Sequence, residues 1–413
     1  MATVTYVTPA AVKPPGQPDI SYAPDFKKYE ARRDNRIKSG NLAKELPKGL
    51  PRQLTGKLVW EGDSLAKEYD WTYVLKQEQL DEIDLAVKHF KSLNLPLGYV
   101  NRETFPLPKL HSELRKLSDE LHNGHGFFVI RGVPVDKYSR EENIVIYAGL
   151  SAHIAPKRGR QDSKFDGKPA AVTLSHIKDL SGPGRNEIIG SPAFTTDKQV
   201  FHTDSGDIVS LFALETAAEG GASKLASTWR VYNEIARTRP DLIHTLTQNW
   251  NPENFGNHEQ PYTSRPIMHY QPATESTPER VILQYARRSF VGFGALPRSP
   301  SIPPITEAQA EALDTLHFLG EKFCVDTYFQ KGDIQYVNNL ALFHARDGFR
   351  NEGDKQRHLL RFWLRDPENA WETPEVLKER WALLYDDRAP ETEVLPLEPY
   401  IRTAGNKSGR VGG

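Results

Sequence analysis

The chain has 413 residues, of which 53 are Lys or Arg and 54 are Asp or Glu, so its formal net charge is −1. A near-neutral chain has no overall field to hold a polyanion or an acidic membrane, which argues against nucleic acid and membrane as partners. Cys324 is the only cysteine, which excludes an intrachain disulfide and suits a cytoplasmic location. No segment approaches the roughly 18 apolar residues that a membrane span requires.

The two ends of the chain differ in composition from its middle. Residues 1–56 are rich in Pro, Lys and Arg and have no sustained apolar period, which predicts an extended N-terminal arm. Residues 398–413 end in Gly, Lys, Ser and Arg, and are expected to form a flexible tail. We expect residues 57–397 to form a single domain.

Two helices and one strand are well signalled. Leucines recur at helical spacing from Leu110 to Leu121, and the following Asn123-Gly124 pair predicts the helix end. Phe127–Ile130 is short, apolar and β-prone, as expected of a buried strand. Thr306 with Gln309 forms a capping-box pattern at the start of the second helix.

Short β-prone runs dominate the remainder of the chain up to residue 365. They are Val172–Leu174, Ile208–Leu214, Val281–Tyr285, Val325–Phe329, Ile334–Val337 and Leu359–Leu364. Short strands joined by long connections rich in Pro and Gly are typical of a jelly roll or sandwich. The predicted fold is therefore mainly β with helical additions.

Three residues could form one metal site. In an extended backbone, His202 and Asp204 project from the same face, and His344 offers a third ligand beyond the strand Ile334–Val337. Two His and one carboxylate leave open positions on iron, as in non-haem iron oxygenases. A His-x-Asp pair can also arise by chance among 13 histidines, where it would be an ordinary hydrogen-bonded loop pair.

Two further motifs follow the first ligands. Gly220-Gly221-Ala222-Ser223 predicts a tight turn that presents the Ser223 hydroxyl. Alternation places Arg357 and Arg361 on one face of a strand whose other face is apolar. Guanidinium groups turned into a core need anionic partners, although an edge strand with its arginines in water is the alternative.

Taken in order, these motifs resemble the taurine/2,4-D dioxygenase-like (TauD/TfdA) family of Fe(II)/2-oxoglutarate oxygenases, within the clavaminate synthase-like superfamily. The likeness spans about residues 108–365 and includes Gly126–Gly132, the Phe-His-Thr-Asp pair, the Gly-Gly-x-Ser turn, Gly332-Asp333-Ile334 before His344, and the Arg-x-x-x-Arg strand. The resemblance implies a double-stranded β-helix. The family usually has Thr where this chain has Ser223, so the hydroxyl is kept and a methyl group is lost.

The resemblance also implies roles for individual residues. His202, Asp204 and His344 would hold Fe(II), and Arg357 with Ser223 would bind the distal carboxylate of the cosubstrate 2-oxoglutarate. Arg361 matches a position that some relatives use for the anionic group of the substrate, which favours a carboxylate-bearing molecule such as an amino acid. O2 would be consumed, and succinate and CO2 released, as a substrate C–H bond is oxidised.

Other functions remain open from the sequence. The same iron centre could catalyse desaturation, cyclisation or epimerisation instead of hydroxylation. A zinc hydrolase could use the same three ligands with a bound water, and a jelly roll that lost turnover could serve as a binding protein. Neither of the last two explains Arg357 and Ser223 as a cosubstrate clamp. The sequence identifies neither the substrate nor the oligomeric state.

Overall fold

A computed structural model describes residues 13–405, except 256, 258 and 276. The helices are α1 (Phe26–Lys38), α2 (Gly62–Glu68), α3 (Gln77–Ser92), α4 (His111–Asn123), α5 (Arg140–Ile154), α6 (Thr228–Thr238), α7 (Pro240–Thr247), α8 (Arg288–Val291), α9 (Glu307–Phe323) and α10 (Lys378–Leu384). The strands are β1 (Thr72–Val74), β2 (Phe127–Arg131), β3 (Lys157–Arg158), β4 (Asp162–Phe165), β5 (Lys168–Val172), β6 (Ser175–Lys178), β7 (Gln199–His202), β8 (Ile208–Glu215), β9 (Glu219–Gly220), β10 (Ser223–Ser227), β11 (Met268–Gln271), β12 (Arg280–Leu283), β13 (Gly292–Phe293), β14 (Leu296–Pro297), β15 (Val325–Thr327), β16 (Ile334–Asn338), β17 (Leu342–Arg346), β18 (Phe349–Arg350), β19 (His358–Arg365) and β20 (Glu393–Val394).

Two sheets form the core of the fold. The larger sheet runs in the order β1-β2-β16-β8-β19-β3, with β6 also paired to β19. The smaller sheet runs in the order β15-β10-β17-β7. Side chains of β8 and β19 from the first sheet and of β10 and β17 from the second line a common cavity. This arrangement confirms the jelly-roll prediction.

Helices cover the outer side of both sheets. A buried apolar cluster joins α3, α4 and α5 to outward-facing residues of the larger sheet, such as Phe128, Phe212 and Phe362. Helices α6 and α9 pack on strands of the smaller sheet, and α1 packs on α9. These layers keep water from the outer faces of the sheets, so the polar side chains of the cavity are held between two apolar layers.

The predicted helix boundaries are confirmed at two positions. Helix α4 ends at Asn123, immediately before Gly124. Helix α9 begins with a capping box in which the Thr306 hydroxyl accepts from the Gln309 backbone N–H and the Gln309 side chain accepts from the Thr306 backbone N–H. Three predicted β runs extend beyond the observed strands, because β5 ends at Val172, β12 at Leu283 and β15 at Thr327.

The N-terminal arm is not extended throughout. Helix α1 occupies 13 of its residues and has no buried residue, so its sequence carries no apolar period that could reveal it. Asp25 caps the helix by accepting a hydrogen bond from the Lys28 backbone N–H. Of the predicted tail, residues 398–405 lie against the domain, and residues 406–413 are outside the described part of the chain. Among the described residues, no helix has the length and apolar character of a membrane span.

Candidate metal centre and the pocket beside it

The three predicted ligands meet between the sheets. His202 ends β7 and pairs directly across the smaller sheet with His344 of β17, which brings the two imidazole centroids to 4.1 Å. Asp204 lies in the turn after β7, with Oδ1 3.7 Å from His202 Nε2 and Oδ2 4.0 Å from His344 Nε2. One atom from each residue lies within 4.8 Å of the others.

The protonation states suit a metal ion. Burial lowers the pKa of His202, and burial together with the neighbouring imidazole lowers the pKa of His344 to about 3. Burial alone would raise the pKa of Asp204, but Arg361 and both imidazoles hold it below its usual range. Two neutral imidazoles and one carboxylate are the forms that bind a cation.

The orientation of His202 is fixed by the backbone. Its Nδ1 lies 2.9 Å from the Val200 carbonyl oxygen, and this bond places the proton on Nδ1 and leaves the Nε2 lone pair facing Asp204. The Gln199 amide Nε2 lies 3.0 Å from His202 Nε2. A metal at His202 Nε2 therefore requires the Gln199 side chain to turn away.

The two oxygens of Asp204 have different surroundings. Oδ2 accepts hydrogen bonds from Arg361 Nη1 at 2.8 Å and from Trp363 Nε1 at 3.0 Å. Oδ1 is the oxygen nearer to His202, and no described residue donates a hydrogen bond to it. The Asn339 side chain fixes the turn, since it accepts from the Asp204 backbone N–H and donates to its carbonyl oxygen. Two imidazoles and one oriented carboxylate fit a mononuclear Fe(II) site with open positions.

Arg357 lies in the same cavity, and no described residue forms an ion pair with it. It is 5% exposed, its Nη1 has no hydrogen-bond partner among the described residues, and burial lowers the pKa of its guanidinium. The positive charge of Arg346 lowers that pKa further. A buried guanidinium without a counter-ion is costly, so the residues present fit an anionic ligand such as the carboxylate of 2-oxoglutarate.

The glycine turn makes room for Arg357. Gly221 has a φ of +73°, and a Cβ there would lie 3.2 Å from Arg357 Nε, so a side chain would press against the guanidinium. Ser223 lines the cavity as predicted, but its hydroxyl donates to Gln335 Oε1 at 3.0 Å. The one hydroxyl proton of Ser223 is therefore already committed, and donation to a ligand would require the hydroxyl to rotate.

A larger cleft of about 620 Å³ lies elsewhere and contains none of the three ligands. It is lined by Trp71, Tyr328 and Gln335, among others, and its buried Asp333 is paired with Arg131. Gln335 of this cleft accepts a hydrogen bond from Ser223, which lines the cavity of the metal centre. The chemistry-bearing side chains are concentrated in the smaller cavity, which we take as the active site.

Sequence reasoning missed two residues of the site. Arg346 lies two positions after His344 on β17 and also lines the cavity, a placement that strand alternation could have indicated. Gln161 accepts a hydrogen bond from Arg361 Nε at 2.9 Å and donates to the Arg361 carbonyl oxygen. Nothing in the local sequence around Gln161 signals this contact, because it joins residues 200 positions apart.

Comparison with known proteins gives three findings. The model of the taurine catabolism dioxygenase TauD, TfdA family matches residues 91–363. The taurine hydroxylase-like protein SAT17 of Stachybotrys chartarum is 34% identical over 363 residues, which are 85% of this chain and 91% of that protein. FR-33289 synthase of Streptomyces rubellomurinus is 24% identical over 347 residues, covering 81% of this chain and 96% of that protein.

The fold also matches a solved structure. Asparagine oxygenase in complex with Fe(II), 2S,3S-3-hydroxyasparagine and succinate superposes with a TM-score of 0.52 and 14% sequence identity. The match covers 72% of this chain and 94% of that chain. At this identity the similarity concerns the fold.

Proposed function

The chain belongs to the taurine catabolism dioxygenase TauD, TfdA family, and on that premise we propose that it oxidises a C–H bond of a small carboxylate-bearing molecule. The enzyme is an Fe(II)- and 2-oxoglutarate-dependent oxygenase. Its substrate and the roles of individual residues are the subject of the proposal.

His202, Asp204 and His344 would hold the iron. When bound, Fe(II) with 2-oxoglutarate and O2 supplies an oxidant that can remove hydrogen from an unactivated C–H bond, with release of succinate and CO2. The chain itself keeps both imidazoles neutral, fixes the His202 tautomer through Val200, and holds the Asp204 carboxylate with one oxygen directed at the site.

The observation that carries the cosubstrate assignment is the unpaired guanidinium of Arg357. It is buried in the cavity that Asp204 and His344 line, and the like charge of Arg346 acts on it. A dianion such as 2-oxoglutarate would neutralise this charge and could form a bidentate pair with it. A zinc hydrolase needs no such group.

Arg361 supports a carboxylate on the substrate. Its Nη1 is committed to Asp204 and its Nε to Gln161, while Nη2 is buried and has no partner among the described residues. One free N–H edge close to a metal ligand is suited to an anionic group of a small molecule. The amino-acid class is favoured because amino acids carry a carboxylate.

The first test uses the full chain with Fe(II) and 2-oxoglutarate under anaerobic conditions. We expect a metal-to-ligand charge-transfer absorption, followed by succinate when O2 and a substrate are admitted. Screening amino acids and other small carboxylates for substrate-triggered succinate would identify the substrate. Absence of the charge-transfer band in a folded, iron-loaded protein would contradict the proposal. So would hydrolysis of a screened compound by the zinc-loaded protein at a higher rate than the iron-loaded protein oxidises it.

Variants of the ligands provide the second test. Asp204→Ala and His344→Ala should lose iron and coupled succinate formation.

A variant of Arg361 tests the substrate contact. Arg361→Ala can lower activity for two reasons, because it removes both the substrate contact and the partner of Asp204. We expect a raised KM for the substrate, with iron content measured in parallel, and Arg361→Lys as the control that keeps the charge. An unchanged KM would refute the substrate role of Arg361.

A further inference from the structure

Arg346 of β17 is a buried cation of the active-site cavity that has no role in the function proposed above. It is 5% exposed and lines the cavity together with His344 and Arg357. Among the residues that the structure describes, no carboxylate forms an ion pair with it, and the charges of Asp179 and Asp197 act on it only from a greater distance. Burial lowers the pKa of Arg346 to about 10, so its guanidinium is still charged at neutral pH.

The strand pairing places Arg346 beside the residues predicted to bind the cosubstrate. Arg346 of β17 is directly opposite Ser223 of β10, and side chains paired in this way leave the same face of the sheet. The guanidinium carbons of Arg346 and Arg357 lie 4.8 and 5.3 Å from the ring centroid of Phe349. Ser223, Arg346 and Arg357 all line the cavity, and they are here named the Arg346 cradle.

One edge of the Arg346 guanidinium holds the loop that precedes β7. Its Nη2 donates to the backbone carbonyl oxygens of three residues of this loop, namely Pro192, Thr195 and Asp197. Residues 192–197 are here named the cover segment. They contribute Ala193 to the cavity lining, where it packs against Ile177 and Leu359. The cover segment therefore closes one side of the active site, and Arg346 is its anchor.

The other edge of Arg346 is not used by the described part of the chain. Its Nε is buried and has no hydrogen-bond partner there, and the same is true of Arg357 Nη1. Two buried guanidinium groups in one cavity repel each other unless an anion compensates them. A carboxylate has about four acceptor sites on its two oxygens, so one carboxylate can accept hydrogen bonds from both groups.

The cavity has to enlarge before a ligand enters. Its volume is about 40 Å³, whereas pockets that hold small molecules usually measure about 300–1,000 Å³. Most of its lining residues belong to strands that are paired within the two sheets, and Ala193 belongs to a loop. A loop separates from its neighbours at a smaller cost than a paired strand does.

We propose that Arg346 and Arg357 together bind the distal carboxylate of 2-oxoglutarate, and that the bound cosubstrate thereby holds the cover segment closed. This inference rests on the proposed function, because it concerns the same cosubstrate site. The cover segment opens to admit the cosubstrate. Once the carboxylate lies between the two guanidinium groups, Arg346 is fixed in the cavity and keeps its bonds to the cover segment.

The test distinguishes a contact with the distal carboxylate from a purely structural role of Arg346. Calorimetry on the full chain, loaded anaerobically with Fe(II), measures the binding of 2-oxoglutarate and of 2-oxopentanoate, which has the same length and lacks the distal carboxylate. We expect Arg346→Gln to weaken 2-oxoglutarate binding about tenfold or more and to change 2-oxopentanoate binding less than about threefold. Arg346→Lys keeps the charge and should recover part of the loss. Unchanged 2-oxoglutarate affinity, or equal weakening of both acids, would overturn the proposal.

Arg298→Gln is the matched control for the structural role. Arg298 is 2% exposed, its Nε is also buried without a partner among the described residues, and it is not among the residues that line the cavity. It likewise donates to three backbone carbonyl oxygens, those of Asn251, Ser289 and Pro303. Arg298→Gln should lower the free energy of unfolding, as Arg346→Gln should, and leave 2-oxoglutarate affinity unchanged. An equal loss of affinity in the two variants would contradict a direct contact with Arg346.

Hydrogen exchange tests the closure of the cover segment. In the wild type, 2-oxoglutarate should slow exchange of the backbone amides of residues 193–197 about tenfold or more, and 2-oxopentanoate should not. Absence of this slowing, or its persistence in Arg346→Gln, would overturn the coupling. The charge-transfer absorption of the same samples tests the proposed function separately. Binding of 2-oxoglutarate that depends on Arg346 without that absorption would leave the Arg346 cradle standing and refute the oxygenase centre.

Discussion

Buried arginines have carboxylate partners in one region of this molecule and largely lack them in another. Where the N-terminal arm meets α9, Arg36 pairs with Glu311 and Asp241, and Arg32 pairs with Asp314. Glu311 is fully buried and receives a second guanidinium from Arg239. Each of the three carboxylates has at least one guanidinium within ion-pairing distance, so this interface is complete without any ligand.

The active-site cavity shows the reverse. Within the described part of the chain, Arg357 has no carboxylate partner, and Arg361 has one, Asp204, which the metal would share. Desolvated charges are tolerated only when something compensates them, and an anionic ligand would supply the partner that Arg357 lacks there. The comparison indicates which buried charges stabilise the fold and which are kept for a ligand.

The largest expected effect is on stability at the arm. Glu311→Gln leaves Arg36 and Arg239 facing a neutral amide, and we expect the free energy of unfolding to fall by about 3–5 kcal/mol. The measurement is urea denaturation of the full chain. Glu307→Gln is the control, because Glu307 is 62% exposed and its pair with Arg32 should contribute at most about 1 kcal/mol. An equal fall in unfolding free energy in the two variants would show that the buried ion pairs stabilise the chain no more than the exposed pair does.

Removing a charge from the cavity should not lower the free energy of unfolding, in contrast to removing one from the arm. Arg357→Gln removes a charge that has no ion-pair partner among the described residues, so stability should stay the same or rise. Affinity for 2-oxoglutarate should fall by about 100-fold, because a buried charge pair is lost from the complex. Titration of the charge-transfer absorption measures this affinity. Arg357→Lys should recover part of it, and a strongly destabilised Arg357→Gln would mean that the guanidinium serves the fold.

The strands of the larger sheet were easier to predict from the sequence than the helix of the N-terminal arm, for a physical reason. Strands such as β2, β16 and β19 bury their side chains, and their apolar runs are visible in the sequence. Helix α1 has no buried residue, and it contacts α9 through the ion pairs of Arg32 and Arg36 and through the rings of Phe26 and Tyr29 against Phe318. Two aromatic residues near one end of a helix are too few to form a sustained hydrophobic period.

The candidate site shows the same limit at the level of single residues. His202 and Asp204 were recognisable because they are two positions apart and His344 completes a known ligand set. The contact of Arg361 with Asp204 was not predicted, since 157 positions separate the two.

A pair of histidines offers a third way to bury ionisable groups, which is to keep them neutral. His176 Nε2 donates to the Pro396 carbonyl at 2.7 Å, so its Nδ1 accepts from His358 Nε2 at 2.8 Å. Burial lowers the pKa of His176 to about 4, and burial together with the neighbouring His176 imidazole lowers the pKa of His358. His358 directly follows Arg357 on β19.

This pair predicts acid sensitivity. The pKa of each histidine is lower in the folded chain than the unfolded value of about 6.5, so below that pH the unfolded chain binds more protons. The stabilisation is complete above about pH 6.5 and is lost as the pH falls towards 4, by about 1.4 kcal/mol per pH unit for each histidine. In His358→Gln the slope of unfolding free energy against pH should be smaller by about that amount, and an identical slope would contradict the neutral pair.

Ser223 is hydrogen-bonded within the chain and would also bind the cosubstrate. We expect its substitution to give the smallest change in 2-oxoglutarate affinity. Its hydroxyl proton goes to Gln335, which in turn donates to the Thr327 hydroxyl, so the chain already satisfies it. Binding of the 2-oxoglutarate carboxylate would require the hydroxyl to exchange one acceptor for another of higher charge, a net gain of about 1 kcal/mol. Ser223→Ala should therefore weaken 2-oxoglutarate binding only about fivefold, with Ser223→Thr as the control that keeps the hydroxyl. If Ser223→Ala instead lowers unfolding free energy while 2-oxoglutarate affinity is unchanged, Ser223 belongs with the paired groups of the fold, and arginine side chains alone hold the distal carboxylate.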